Sequence, residues 1–140
     1  MAVNKGYSAY QSNSIVNSSP EELTLMLYNG LIRFIMQAQK AIDDKEPEKA
    51  HASIVRAEDI LLEFQATLDM KYELSQGLKM LYDYMYRQLV EANTKKDKLL
   101  LEEVLVLAKD LRNTWEQAMK LAKEQAGQAS QASQASQASR

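Results

Sequence analysis

Apolar residues recur along this chain at spacings of three and four, the signature of helices with one buried face. Leu23, Met26, Leu27, Gly30, Leu31, Phe34, Ile35, Ala38 and Ile42 form a first such stripe. Its start is marked by Ser19-Pro20-Glu21-Glu22, which places a hydroxyl at the cap, proline at the first helical position and a glutamate three residues after the cap. The first helix is expected from Pro20 to about Asp44. Lys45-Glu46-Pro47 then reads as a connection, because proline disfavours helical geometry in the residue before it yet suits the first turn of the next helix. A second stripe, Ala50, Ile54, Ala57, Leu61, Phe64 and Leu68, predicts a helix from Pro47 to about Asp69. Leu74, Leu78, Leu81, Met85, Leu89 and Ala92 predict a third, ending near Asn93. Asp97 suits the cap of a fourth, with Leu100, Val104, Leu107, Leu111, Trp115 and Ala118 inward.

Four helices joined by short connections predict an all-α fold, an antiparallel up-down four-helix bundle. The expected organisation is an extended N-terminal segment over residues 1–19, the bundle over 20–126 and a tail over 127–140. The tail repeats Gln-Ala-Ser and holds no large apolar residue, so it is expected to be disordered. Asn29-Gly30, a pair that often makes a hairpin turn, falls inside the first helical stripe and reads instead as a close-packing point.

Composition narrows the functional classes. There is no cysteine, which excludes disulfides and thiolate chemistry and suits a reducing compartment, so a cytoplasmic location is expected. No apolar run approaches the roughly 20 residues of a membrane span, so no membrane insertion is expected. A net charge of -2 argues against a nucleic-acid partner. Glu48-x-x-His51 has the spacing of half of a bundle di-metal site, but His51 is the only histidine, so no metal or other cofactor is expected. No phosphate-binding glycine loop or nucleophile elbow is present, and neighbouring acids such as Glu102 and Glu103 diverge by about 100° on a helix. Enzymatic activity has no positive support.

The informative surplus is apolar. Leu25, Tyr28, Ile32 and Met36 lie on a second face of the first helix, and Leu99, Leu101, Leu105, Ala108 and Met119 do so on the fourth. One reading makes these helices central, each touching two neighbours. The other makes Leu25, Tyr28, Ile32, Leu101, Leu105 and Ala108 an exposed groove for an apolar segment of a partner, since large exposed apolar patches mark contact sites. A weak homodimer through the same surface is the structural alternative. Tyr82, Tyr84 and Tyr86 add amphipathic rings suited to half-buried interfaces.

Ser18-Ser19-Pro20-Glu21-Glu22-Leu23, Leu25-Met26-Leu27-Tyr28-Asn29-Gly30, Leu81-Tyr82-Asp83-Tyr84-Met85-Tyr86-Arg87, Val90-Glu91-Ala92-Asn93, and Leu101-Glu102-Glu103-Val104 followed by Trp115 resemble the FliS-type flagellin export chaperone family. The resemblance runs in order from about Gly6 to Lys120. It implies a cytoplasmic chaperone that wraps the disordered C-terminal segment of flagellin around its bundle, prevents premature polymerisation and docks on the export-gate membrane protein of the flagellar secretion apparatus. It also implies an N-terminal latch that competes with cargo and contributes to gate docking, here carried by Tyr7 and Tyr10, with Ile15 further along the same segment. Tyr7 departs from the isoleucine of some relatives.

Overall fold

In the computed structural model, residues 17–138 are described; the expected latch residues Tyr7, Tyr10 and Ile15 lie outside them. Four helices follow in order: α1 (Pro20–Asp43), α2 (Pro47–Thr67), α3 (Glu73–Lys95) and α4 (Lys98–Ala138). Each predicted element is present, with ends within about two residues of expectation except the last, which runs on through the Gln-Ala-Ser repeats. The described residues divide into two compact units, one of Met26–Leu111 and one that joins residues 17–25 to residues 112–138.

The helix ends follow local chemistry. Ser19 Oγ accepts the Glu22 amide at 3.2 Å and Asp97 Oδ1 accepts the Leu99 amide at 2.9 Å, each satisfying a donor that has no partner within its own helix. At the C-terminal ends of α1 and α3 the chain turns through left-handed lysines, Lys45 with φ 57° and Lys96 with φ 52°. There the following amides reach back five residues, Glu46 to Ala41 O at 2.8 Å and Asp97 to Ala92 O at 3.0 Å. This closing turn usually employs glycine, so both lysines carry a conformational cost that the two hydrogen bonds offset.

The Met26–Leu111 unit is the antiparallel four-helix bundle. Its direction is legible in its cross-links: Gln39 Nε2 donates to Glu102 at 2.8 Å and Lys98 Nζ to Asp43 at 2.8 Å, so numbers rise along α1 as they fall along α4. Leu31, Ile35, Ile54, Leu61, Met85, Leu89, Leu101 and Val104 are fully buried. Each such side chain contributes roughly 1.5–3 kcal/mol through burial. The α2 stripe is buried as expected from Ala50 to Phe64. On α3 the face is rotated by about one position at its start. Ser75 is inside, with its hydroxyl donated to Asp69 O, while Leu74 is 74% exposed. Gly30 is buried in mid-helix, and a Cβ there would meet Ile60 Cδ1 at 3.4 Å, an ordinary contact. Gly30 faces α2 there, but the neighbour is the tip of a side chain, so the packing does not require glycine.

In the other unit, the Trp115 indole N–H donates to Glu21 O at 3.0 Å. The bond gives the indole N–H an acceptor, a first-turn carbonyl of α1, while the large ring stays half-buried. Beyond it, every side chain from Lys120 to Ala135 is exposed. Alanine and glutamine favour helix locally, so the repeats continue the ladder of α4, with none of the burial whose absence led to the expectation of disorder.

Candidate functional site

Inside the bundle, toward the end that carries the α2–α3 connection, lies an aromatic stack. The Tyr28 and Phe64 rings are 4.5 Å apart and the Phe64 and Tyr82 rings 5.3 Å, joining α1, α2 and α3. The two tyrosine hydroxyls share a 2.6 Å hydrogen bond inside this stack. Burial pushes both hydroxyls above their ordinary pKa, and at Tyr82 the hydrogen bond to Tyr28 pushes the same way. Each therefore satisfies the other as a neutral pair, the condition under which polar groups can be buried at little cost. This is a structural centre.

In the free chain most of the expected groove is covered. Of the six residues assigned to it, Leu25 is half-buried and Tyr28, Ile32, Leu101, Leu105 and Ala108 are interior, with Leu105 only 3% exposed. The physical reason is that α1 and α4 each pack against more than one neighbour, so a second apolar face on them is covered by the fold itself. The exposure expected of these residues is what the structure overturns. Across the same α1–α4 seam, outward positions are tied by Gln39–Glu102 and Asp43–Lys98, while Met36 and Val106 are each 50% exposed.

Large apolar side chains remain exposed on every helix, Leu99 of α4 at 81% among them, and on α3 several of them line up. Leu74, Gly77, Leu81 and Tyr84 follow one helical face, with Met80 beside it; Leu74 and Met80 are each 74% exposed. The polar residues of this segment, Gln76 and Lys79, fall on other faces of the helix, so the stripe itself carries no polar side chain before Tyr84. A Cβ built at Gly77 meets nothing within 4 Å, which leaves a flat place in its middle. Met70 and Tyr72 in the α2–α3 connection extend the apolar surface around the end of α3. At the other end the Tyr84 hydroxyl donates to Glu103, and Gln88 Nε2 donates to Tyr84 Oη at 3.1 Å, closing the stripe with a polar rim. Sequence periodicity alone assigned Leu74 inward; the omitted signal was Ser75, whose backbone-bonded hydroxyl can occupy the inner position, while Leu81 is half-buried.

The sequence profile of the family described as "Flagellar protein FliS" matches residues 3–122. The chain is 43% identical over 120 residues to the flagellar secretion chaperone FliS of Bacillus subtilis (strain 168), covering 86% of this chain and 90% of that one. This chain belongs to the FliS family. The namesake of Campylobacter jejuni is 31% identical over 84% of this chain and 93% of its own, and that of Escherichia coli (strain K12) 28% over 82% and 90%. FliS proteins are chaperones rather than enzymes, and the features set aside in the sequence fit that class. His51 is exposed, its Nδ1 sharing a 2.8 Å hydrogen bond with Asn93 Nδ2 that links α2 to α3. Lys95, Lys96 and Lys98 are engaged by Glu91, Asn93 and Asp43, so the basic cluster is spent on helix ends. Among the described residues, no helix is long and apolar enough to cross a membrane.

Proposed function

We propose that this chain is a cytoplasmic export chaperone that binds the C-terminal segment of flagellin, keeps it from polymerising and delivers it to the membrane protein of the export gate. The observation that carries this reading is the 43% identity, over 86% of the chain, to a flagellar secretion chaperone. The α3 stripe supports it physically. An amphipathic segment of a partner can lay its apolar face along Leu74, Gly77 and Met80, where methionine's flexible side chain adapts to varied shapes. The roles implied for Tyr7, Tyr10 and Ile15 in latching and gate docking belong to the same proposal. Self-association through the stripe is the competing use of the same surface.

The test is a pair of substitutions, Leu74→Glu and Met80→Glu. Both residues are mostly exposed, so the melting of the free chain should move by no more than about 0.5 kcal/mol equivalent. Affinity for a peptide of the cognate flagellin C-terminus should fall about tenfold for each, as expected for losing roughly 1.4 kcal/mol of apolar burial. Undiminished affinity in both variants would contradict the assignment of cargo to this face.

A further inference from the structure

His51 lacks the second histidine that a di-metal site needs, yet its ring is engaged. The Asn93 amide nitrogen lies 2.8 Å from His51 Nδ1. An amide nitrogen can only donate, so Nδ1 accepts and the ring is neutral, with its proton on Nε2. The other half of the same amide is engaged too. Lys96 Nζ donates to Asn93 Oδ1 and to the Asn93 backbone oxygen, each at 2.6 Å. A neutral imidazole from α2 and an ammonium from the end of α3 thus hold opposite ends of one side chain.

A protonated imidazole donates from both nitrogens, so Nδ1 would then face the amide NH2, donor against donor. The amide can relieve this by turning over, which gives its oxygen to the ring and takes it from Lys96. Two cations then compete for one oxygen. The place of the competition matters to the fold. Lys96 is the left-handed residue that ends α3, and its ammonium satisfies a last-turn carbonyl of that helix. The backbone amides of Lys96 and Asp97 both return to Ala92 O. Other charged groups share this neighbourhood. On α2 they are Glu48, one turn before His51, and Glu58, whose carboxyl burial pushes up and a charged His51 pulls down. At the end of α3, Lys95 is paired to Glu91, and Asp97 accepts the Leu99 amide.

We infer that His51, Asn93 and Lys96 form a proton-responsive clasp on the end of α3. While the ring is neutral, the amide ties Lys96 to the helix end; when the ring takes a proton, the amide turns and the tie is released. Histidine changes charge between about pH 5 and 8, and His51 is the only histidine of the chain, so a single ring sets the response. Release loosens the α3–α4 connection and leaves the stacked rings untouched, since these lie toward the opposite end of α3. The clasp stands whether or not the α3 stripe receives cargo.

The test follows the full-length chain, labelled with ¹³C and ¹⁵N, by NMR from about pH 8 to about pH 5. The Asn93 side-chain amide signals and the backbone signals of Lys96 and Asp97 should shift along one curve with the His51 ring signal. His51→Gln should abolish that curve at all three residues, and Glu58→Gln should keep it. Asn93→Asp supplies two oxygens, one for each cation. In that variant the ring should still titrate while Lys96 and Asp97 shift less than about half as far. A ring that titrates while Asn93 and Lys96 stay still would overturn the proposal, and so would a curve that His51→Gln leaves in place. A curve that Glu58→Gln abolishes would overturn it as well, by assigning the response to the carboxyl.

Discussion

A buried hydroxyl pair is satisfied only while both hydroxyls are present, and this makes Tyr28 and Tyr82 strongly interdependent. Tyr82→Phe strands the Tyr28 hydroxyl at the centre of the stack and should cost about 1–3 kcal/mol in urea unfolding, as should Tyr28→Phe. The double variant should lie within about 1 kcal/mol of the parent, since it removes both polar groups from one apolar site. Additive losses would mean that the hydroxyls do not depend on each other. Leu105 poses the complementary question, because an exposed groove residue would tolerate a charge. At 3% exposure it has no room for one, and Leu105→Glu should destabilise the free chain by at least about 3 kcal/mol. A melting temperature close to the parent's would restore the exposed reading. Periodicity showed that Tyr28, Ile32 and Leu105 lie on a second apolar face, yet it carries no information about what covers that face. Whether a neighbouring helix or a partner does so is a tertiary fact.

At the scale of the helix, most of what the structure contains was legible. Ser19 and Asp97 cap as their side chains imply, and Pro47 opens α2. The left-handed turns at Lys45 and Lys96 were not legible, because glycine, the residue that signals them, stands at neither place. The register at the start of α3 was missed for a similar reason: a serine at an inner position breaks the apolar pattern while satisfying its hydroxyl locally. Gly77 offers the cleanest test of an element by itself. It is exposed within α3, and a side chain there would meet nothing within 4 Å. Gly77→Ala should therefore raise stability by about 0.5–1 kcal/mol through backbone entropy alone, read as a higher urea midpoint at unchanged slope. A loss of stability would show that the flat place in the stripe serves the fold.

At the scale of the molecule, the stacked rings, the polar seams and the bare stripe describe a bundle whose interior is closed and whose α3 carries a run of exposed apolar surface. A chaperone of an unstructured export segment needs such a division, because cargo must bind and leave without dismantling the core that holds it. The bundle topology followed from four stripes and short connections; the location of the uncovered stripe required the packing. The central claim is that this surface receives flagellin by ordering it. Calorimetric titration of the full-length chain with the C-terminal segment of the cognate flagellin, repeated at several temperatures and paired with circular dichroism, tests it most directly. Saturable binding with a large negative heat-capacity change and a gain of helix is expected as the segment folds onto the bundle. A chain that forms a concentration-dependent dimer and gives neither heat nor added helix with the flagellin segment would contradict it.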